Sequence, residues 1–192
     1  MRKNTFLLAV MLIFALTTTK AQTLLGIPFK GDALAFVNQL KTKGFVYLPE
    51  NSKKGFYILK GTLLGYECDV YVSGTNKTNQ LMKVSAYTRN ETTFSSLTAT
   101  FDNIYALMEA KYGGMEDECL NYFSSPYERH DGYEMTALAV GKYVRMCQFE
   151  SDSSMIPFMI IDKFPKVRIS WEHKENMELN KVEKMEKAKE EL

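Results

Sequence analysis

Two neighbouring stretches decide the fold: GFYILKGTLLGYECDVYVSG, from Gly55 to Gly74, and NQLMKVSAYT, from Asn79 to Thr88. Both are rich in β-branched and aromatic residues, which suit a pleated, half-buried surface. Gly61, Gly65 and the polar GTNKTN punctuate them. In YECDVYV the alternation sets Tyr66, Cys68, Val70 and Val72 on one face, the mark of a strand with one side in a core. Three antiparallel strands are therefore predicted, near 55–61, 65–73 and 80–88.

Upstream, Ala33, Phe36, Val37 and Leu40 recur at helical spacing within 32–43, and Gly44 follows as a stop. Downstream, the polar TRNETT leads into a second helix over Phe94–Tyr112, with Phe94, Leu97, Phe101, Tyr105, Met108 and Tyr112 along one side and Gly113-Gly114 at its end. The second half then offers ECLNYF, YEMTALAV, YVRMCQFE, IPFMII and VRISW as short runs of strand composition. Gly141-Lys142 suits a tight hairpin loop, and Pro165 belongs in the connection between the last two strands, because proline is disfavoured inside a paired central strand. The order is helix, three strands, helix, four or five strands, helix. It predicts an α+β fold: an antiparallel sheet with helices on one face, arranged as a tandem helix-plus-sheet pseudo-repeat (22–92 and 93–172) and closed by a C-terminal amphipathic helix over 173–192.

The first 21 residues read as an export signal. Arg2 and Lys3 form a basic start, Phe6 to Leu16 an apolar run, and Thr19-Lys20-Ala21 a small-residue cleavage site before Gln22. The run is about half of the roughly 20 residues that a membrane-spanning helix needs, so membrane insertion after signal removal is not expected. No Cys follows the cleavage point, so no lipid anchor is expected there. The expected location is the periplasm or the exterior. Loss of Arg2, Lys3 and Lys20 takes the formal charge from +1 to −2. With no cluster of Lys and Arg, nucleic acid is not an expected partner.

The three cysteines, Cys68, Cys119 and Cys147, lie where disulfides can form. Cys68 falls on the apolar face of its strand and reads as a small core residue. Cys119 and Cys147 are either partners across a sheet or two buried free thiols. No C-x-x-C occurs, so neither a redox pair nor a zinc knuckle is suggested.

No catalytic signature is found: no G-x-S-x-G, H-E-x-x-H, P-loop or calcium-loop pattern. No catalytic residue, metal ligand or cofactor is accordingly expected. The stretch SPYERHDGYE, Ser125–Glu134, is the one crowded with functional side chains. Glu128, His130, Asp131 and Glu134 offer metal-ligand chemistry, but Pro126 and Asp131-Gly132 are sufficient reason for a connection between strands. As an exposed loop, its Tyr127, Arg129, His130 and Tyr133 form a candidate binding surface, since Tyr and Arg are over-represented at binding hot spots. A Cys119–His130 nucleophile pair is set aside, because strand burial explains Cys119. In the tail, Leu179, Val182, Met185 and Leu192 make a narrow apolar stripe amid Glu and Lys, suited to covering one edge of the domain or to self-association. The sequons at Asn76 and Asn90 lie in polar loops.

The signal ending in KAQ, together with GIPFKGDALAFVNQLKTKGF, LKGTLLGY, MEAKYGG and VRISWEHKEN, resembles a group of uncharacterised secreted proteins from Bacteroidetes. The resemblance spans most of the mature chain and implies no particular activity. The helix-plus-sheet order is also similar in outline to the β-lactamase inhibitor protein fold, which implies a non-enzymatic binder. The leading expectation is a non-catalytic extracytoplasmic protein that binds another protein or an envelope component. The alternatives are a hydrolase or metal-dependent enzyme whose site converges from distant strands, and a structural envelope protein that associates through its C-terminal helix.

Overall fold

The computed structural model describes residues 23–113, 119–149 and 154–190. The signal reading of residues 1–21 lies outside the described residues. The chain is α+β. A small hairpin, β1 (Thr23–Leu24) and β2 (Ile27–Pro28), precedes helix α1 (Ala33–Thr42). Strands β3 (Val46–Tyr47), β4 (Phe56–Leu63), β5 (Tyr66–Gly74) and β6 (Leu81–Thr88) follow. After them come α2 (Phe94–Tyr112), β7 (Cys119–Phe123), α3 (Glu134–Ala139), β8 (Tyr143–Gln148), β9 (Met155–Asp162), β10 (Lys166–His173) and α4 (Lys174–Glu190).

Strands β3 to β10 form one eight-stranded antiparallel sheet in the order β3-β4-β5-β6-β10-β9-β8-β7. Two meanders thus meet at the β6–β10 seam, where Ser170 lies opposite Ser85 and their hydroxyls share a 2.9 Å hydrogen bond. The register carries one row of side chains across the whole core face: Cys119, Cys147, Met159, Ile169, Ala86, Val70, Leu59 and Tyr47. Helices α1 and α2 lie on this face, α1 against β5 and β6, α2 against β9 and β10. They bury Phe36, Val37 and Leu40 from α1, and Leu97, Phe101, Ile104 and Met108 from α2.

Local chemistry sets the helix bounds. Asp32 caps α1 by accepting from the Ala35 N–H at 2.8 Å, and Thr93 caps α2 by accepting from the Ser96 N–H at 3.1 Å. Phe45, just past α1, lies over Gly61 of β4, where a methyl group would overlap its ring. That close approach is the reason for glycine inside a strand. Pro157 sits inside β9, where its carbonyl accepts from the Phe149 N–H at 3.0 Å. Proline has no N–H to return on that side, so the β8–β9 ladder stops beside it.

Two sequence expectations are corrected. YEMTALAV is not a strand: Glu134–Ala139 is helix α3, with the adjacent residues Ala137 and Leu138 both buried. Strand alternation cannot bury two neighbours on one face, and Glu, Met, Ala and Leu are strong helix formers. Gly141-Lys142 is accordingly not a hairpin loop but the stop of α3. Gly141 has φ +71° and the Lys142 N–H returns to the Ala137 carbonyl at 2.7 Å. The loop 124–133 therefore joins a strand to a helix, not a strand to a strand.

The tail helix also docks differently from its pattern. Among its residues Asn180 and Glu183 are buried, while Leu179, Val182 and Met185 are 37%, 52% and 62% exposed. The β5–β6 connection presents backbone N–H groups there. Asn180 accepts from the Asn76 N–H at 3.0 Å, and Glu183 from the Lys77 N–H at 2.6 Å and the Thr78 hydroxyl at 2.7 Å. Capping an otherwise bare turn outweighs burying a thin apolar stripe.

Candidate functional site

Two surfaces have the character of binding sites. The first is a cleft of about 560 Å³ between the N-terminal half of α2 and the core face of β7 and β8. Phe94, Ser95, Thr98 and Asp102 supply the helix wall, and Asn121, Phe123, Tyr143 and Arg145 the strand wall. Arg129, His130 and Glu134, from the loop and the start of α3, close one end.

Phe94, Phe123 and Tyr143 pack as a trio, with ring centroids 4.5 to 5.9 Å apart. The Tyr143 hydroxyl donates to Asn121 at 3.2 Å, and burial raises its pKa against the opposing pull of Arg145 and Arg129. The Arg145 guanidinium stacks over Phe101 at 4.3 Å and bonds Asp102 at 2.5 Å. Arg129 is exposed and has no ion pair among the described residues.

Two carboxylates of this stretch, those of Asp131 and Glu134, are spent on its own backbone. Asp131 accepts from the N–H groups of Glu128 (2.9 Å) and Tyr133 (2.7 Å), and these bonds hold its carboxyl below the usual range. Glu134 accepts from the N–H of His130 at 2.9 Å, which fixes His130 at φ +68°. Asp131 and Glu134 are thus loop staples, and among the described residues no group of three or more His, Cys, Asp or Glu can hold a metal.

Of the four residues singled out in the sequence, Arg129 and His130 reach the cleft. Tyr127 packs, half-buried, against the core, and Tyr133 is 63% exposed outside the cleft. Asn121, Tyr143 and Arg145 went unrecognised. The signal was in YVRMC, where alternation sets Tyr143, Arg145 and Cys147 on one face. An arginine between core-face residues marks a polar site at a sheet end. Cys119 and Cys147 are opposite one another in β7 and β8, with Cα atoms 4.2 Å apart, and form a disulfide. Cys68 is a buried free thiol, pushed up to about 11 by desolvation.

The second surface is the sheet face opposite the core. Among the described residues no helix lies over it, since α1 and α2 pack on the core side, α3 beside β8 buries Ala137 and Leu138 in the core, and α4 docks on the β5–β6 connection. One register row runs across it: Leu120, Met146, Ile160, Arg168, Tyr87, Asp69, Lys60 and Val46. The row changes chemistry midway. On β7 to β9 this face carries Leu120, Tyr122, Val144, Met146, Ile156, Phe158 and Ile160, all at least partly exposed. From the end of β9 through β10 to β4 the aromatics Tyr87, Tyr71 and Phe56 lie among Asp162, Arg168, Lys83 and Ser73.

No known family model, curated protein sequence or solved structure matches the chain. The assignment of function therefore rests on these two surfaces.

Proposed function

We propose that this chain is a non-catalytic binding protein of the extracytoplasmic space that recognises another protein through the uncovered face of its sheet. The observation that carries this reading is the apolar patch on β7, β8 and β9. An antiparallel sheet with one face in water keeps that face polar, and contiguous exposed apolar patches on soluble proteins commonly mark interaction sites. In β9, MIPFMIID is apolar on both sides, as in a strand covered on both faces, yet Ile156, Phe158 and Ile160 are only half-buried. A partner supplies the missing cover. The flanking Lys83 and Arg168, each within 6 Å of the Phe158 ring centroid, give the patch a polar rim.

The test is affinity capture from the native envelope fraction with tagged protein, repeated with Ile160→Glu and Met146→Glu. One stoichiometric partner should be recovered by the parent chain and lost from both variants, with their circular dichroism unchanged. Retention of that partner by both variants rejects the reading.

One observation favours a second reading, association through α4: its apolar stripe faces outward. Leu179→Lys with Met185→Lys would abolish self-association under that reading and leave it unchanged under the first.

A further inference from the structure

We propose a second binding site, distinct from the uncovered sheet face: the cleft beside β7 takes an extended peptide that adds to the sheet edge and places a carboxylate against Arg129. Strand β7 is the end strand of the sheet. In an antiparallel pair, close residue pairs alternate with pairs that exchange hydrogen bonds, and residues of the close pairs direct their N–H and C=O away from the partner strand. The Cα separation of 4.2 Å identifies Cys119 and Cys147 as a close pair. Asn121 opposite Arg145 and Phe123 opposite Tyr143 share that phase. Ser124 has the other phase, and its N–H does bond inward, to the Lys142 carbonyl at 2.7 Å. Cys119, Asn121 and Phe123 therefore present their main-chain groups to the open side, and among the described residues none of these groups has a main-chain partner.

Natural edges are commonly blunted by lysine, proline or a bulge. CLNYF has none of these. Beside this bare edge runs one face of a helix, Phe94, Ser95, Thr98 and Asp102, with the cleft between. A bare edge strand flanked by a pocket is the geometry of strand addition: main-chain bonds supply affinity and alternate side chains read the pocket. The pocket asks for an apolar or aromatic side chain to meet Phe94, Phe123 and Tyr143. It also suits a negative group, because one of its two guanidinium groups, that of Arg129, is unpaired among the described residues. Asp102 is bound to Arg145, and Glu134, whose carboxylate accepts from the His130 N–H, makes no ion pair with Arg129, which has none among the described residues. An acidic side chain and a terminal carboxylate offer the same chemistry to Arg129.

The experiment is selection of random seven-residue peptides on the mature chain, from one pool with free C-terminal acids and one with C-terminal amides. Selected peptides are then measured by fluorescence anisotropy and by amide hydrogen exchange. Enrichment from both pools assigns the carboxylate to a side chain, and enrichment from the free-acid pool alone assigns it to the terminus. In either case binding should slow exchange at Asn121 and Phe123. Arg129→Glu, on an exposed loop, should weaken binding by about tenfold or more. Asn121→Pro should abolish it while leaving the fold intact, since the N–H it removes points away from β8. Ile160→Glu should leave peptide binding unchanged, so this site and the sheet-face reading fail separately. Enrichment from neither pool, or peptides that bind Arg129→Glu and Asn121→Pro as tightly as the parent chain, overturns the proposal.

Discussion

The two halves of the sheet solve the same problem with different means. Strands β3 to β6 are covered on the core side by α1, a helix of 10 residues, and turn a mixed polar and aromatic face outward. Strands β7 to β10 are covered by the 19-residue α2, with Cys119–Cys147 cross-linking β7 to β8, and β7 to β9 turn an apolar face outward. The first half is finished as a solvent-facing sheet. The second carries the cross-link and leaves an apolar face in solvent, the arrangement that the proposed docking of a partner requires.

The largest expected effect tests the shared core. Phe36→Ala under α1 and Phe101→Ala under α2 should each cost about 3–5 kcal/mol in denaturant unfolding, because both rings are fully enclosed. Phe158→Ala, on the uncovered face, should cost about 1 kcal/mol or less. A cost for Phe158 equal to that for Phe101 would mean that the outer face is covered within the chain, and the contrast between the halves would fall. Next in size is the disulfide, which closes a separation of 28 residues. Cys119→Ser with Cys147→Ser should lower stability by about 3–4 kcal/mol, by loop-closure entropy in the unfolded chain. Amide exchange should then rise first in β7 and β8 and leave β4 and β5 unchanged.

The parts of this contrast were unequally legible in the sequence. The first meander was readable because its strands alternate, its turns carry glycine and its helix shows apolar spacing closed by Gly44. Helix α2 was readable for the same local reasons. In α3 six residues are too few for periodicity to separate helix from strand, and the deciding fact, that Ala137 and Leu138 are both buried, belongs to tertiary packing. The cleft was half readable: Arg129 and His130 sit in a conspicuous loop, but Asp102 and Arg145 are 43 residues apart and meet only because α2 crosses β8. The tail misled, because its apolar spacing was visible and the bare N–H groups that draw Glu183 inward were not.

That docking gives a smaller effect. Glu183 is only 4% exposed, and although burial works against its charge, the Lys77 N–H and the Thr78 hydroxyl hold its pKa below the ordinary carboxylate value. A depressed folded pKa contributes stability that is present above the unfolded value of about 4.5 and is lost as pH falls through the folded one. Limited proteolysis should therefore release α4 below that range and spare it at pH 6. Glu183→Ala should release it at any pH, at a cost of about 1–3 kcal/mol for the Lys77 N–H left unpaired. A helix that stays protected in the variant would show that some other contact holds it.

The smallest effect changes no stability at neutral pH and concerns the third cysteine. Cys68 lies in the first half, opposite Gly61 and Thr88, with its thiol directed to the Tyr66 carbonyl at 3.4 Å. Desolvation raises its pKa from 9.0 to about 11. At pH 8 the native chain then holds about one part in a thousand of thiolate, and the thiolate is the reactive form. Without reductant, a disulfide-exchange reagent should find no fast-reacting thiol in the native protein and one per chain in urea. The sign of the linkage adds a second check. The raised value means that stability from the neutral thiol is complete below pH 9.0 and declines as pH climbs toward 11, because the unfolded chain ionises first. Prompt labelling at pH 8 would place Cys68 within reach of solvent. The corner of β3, β4 and β5 would then open more readily than the cross-linked half, and rigidity would be confined to the half that presents the apolar face.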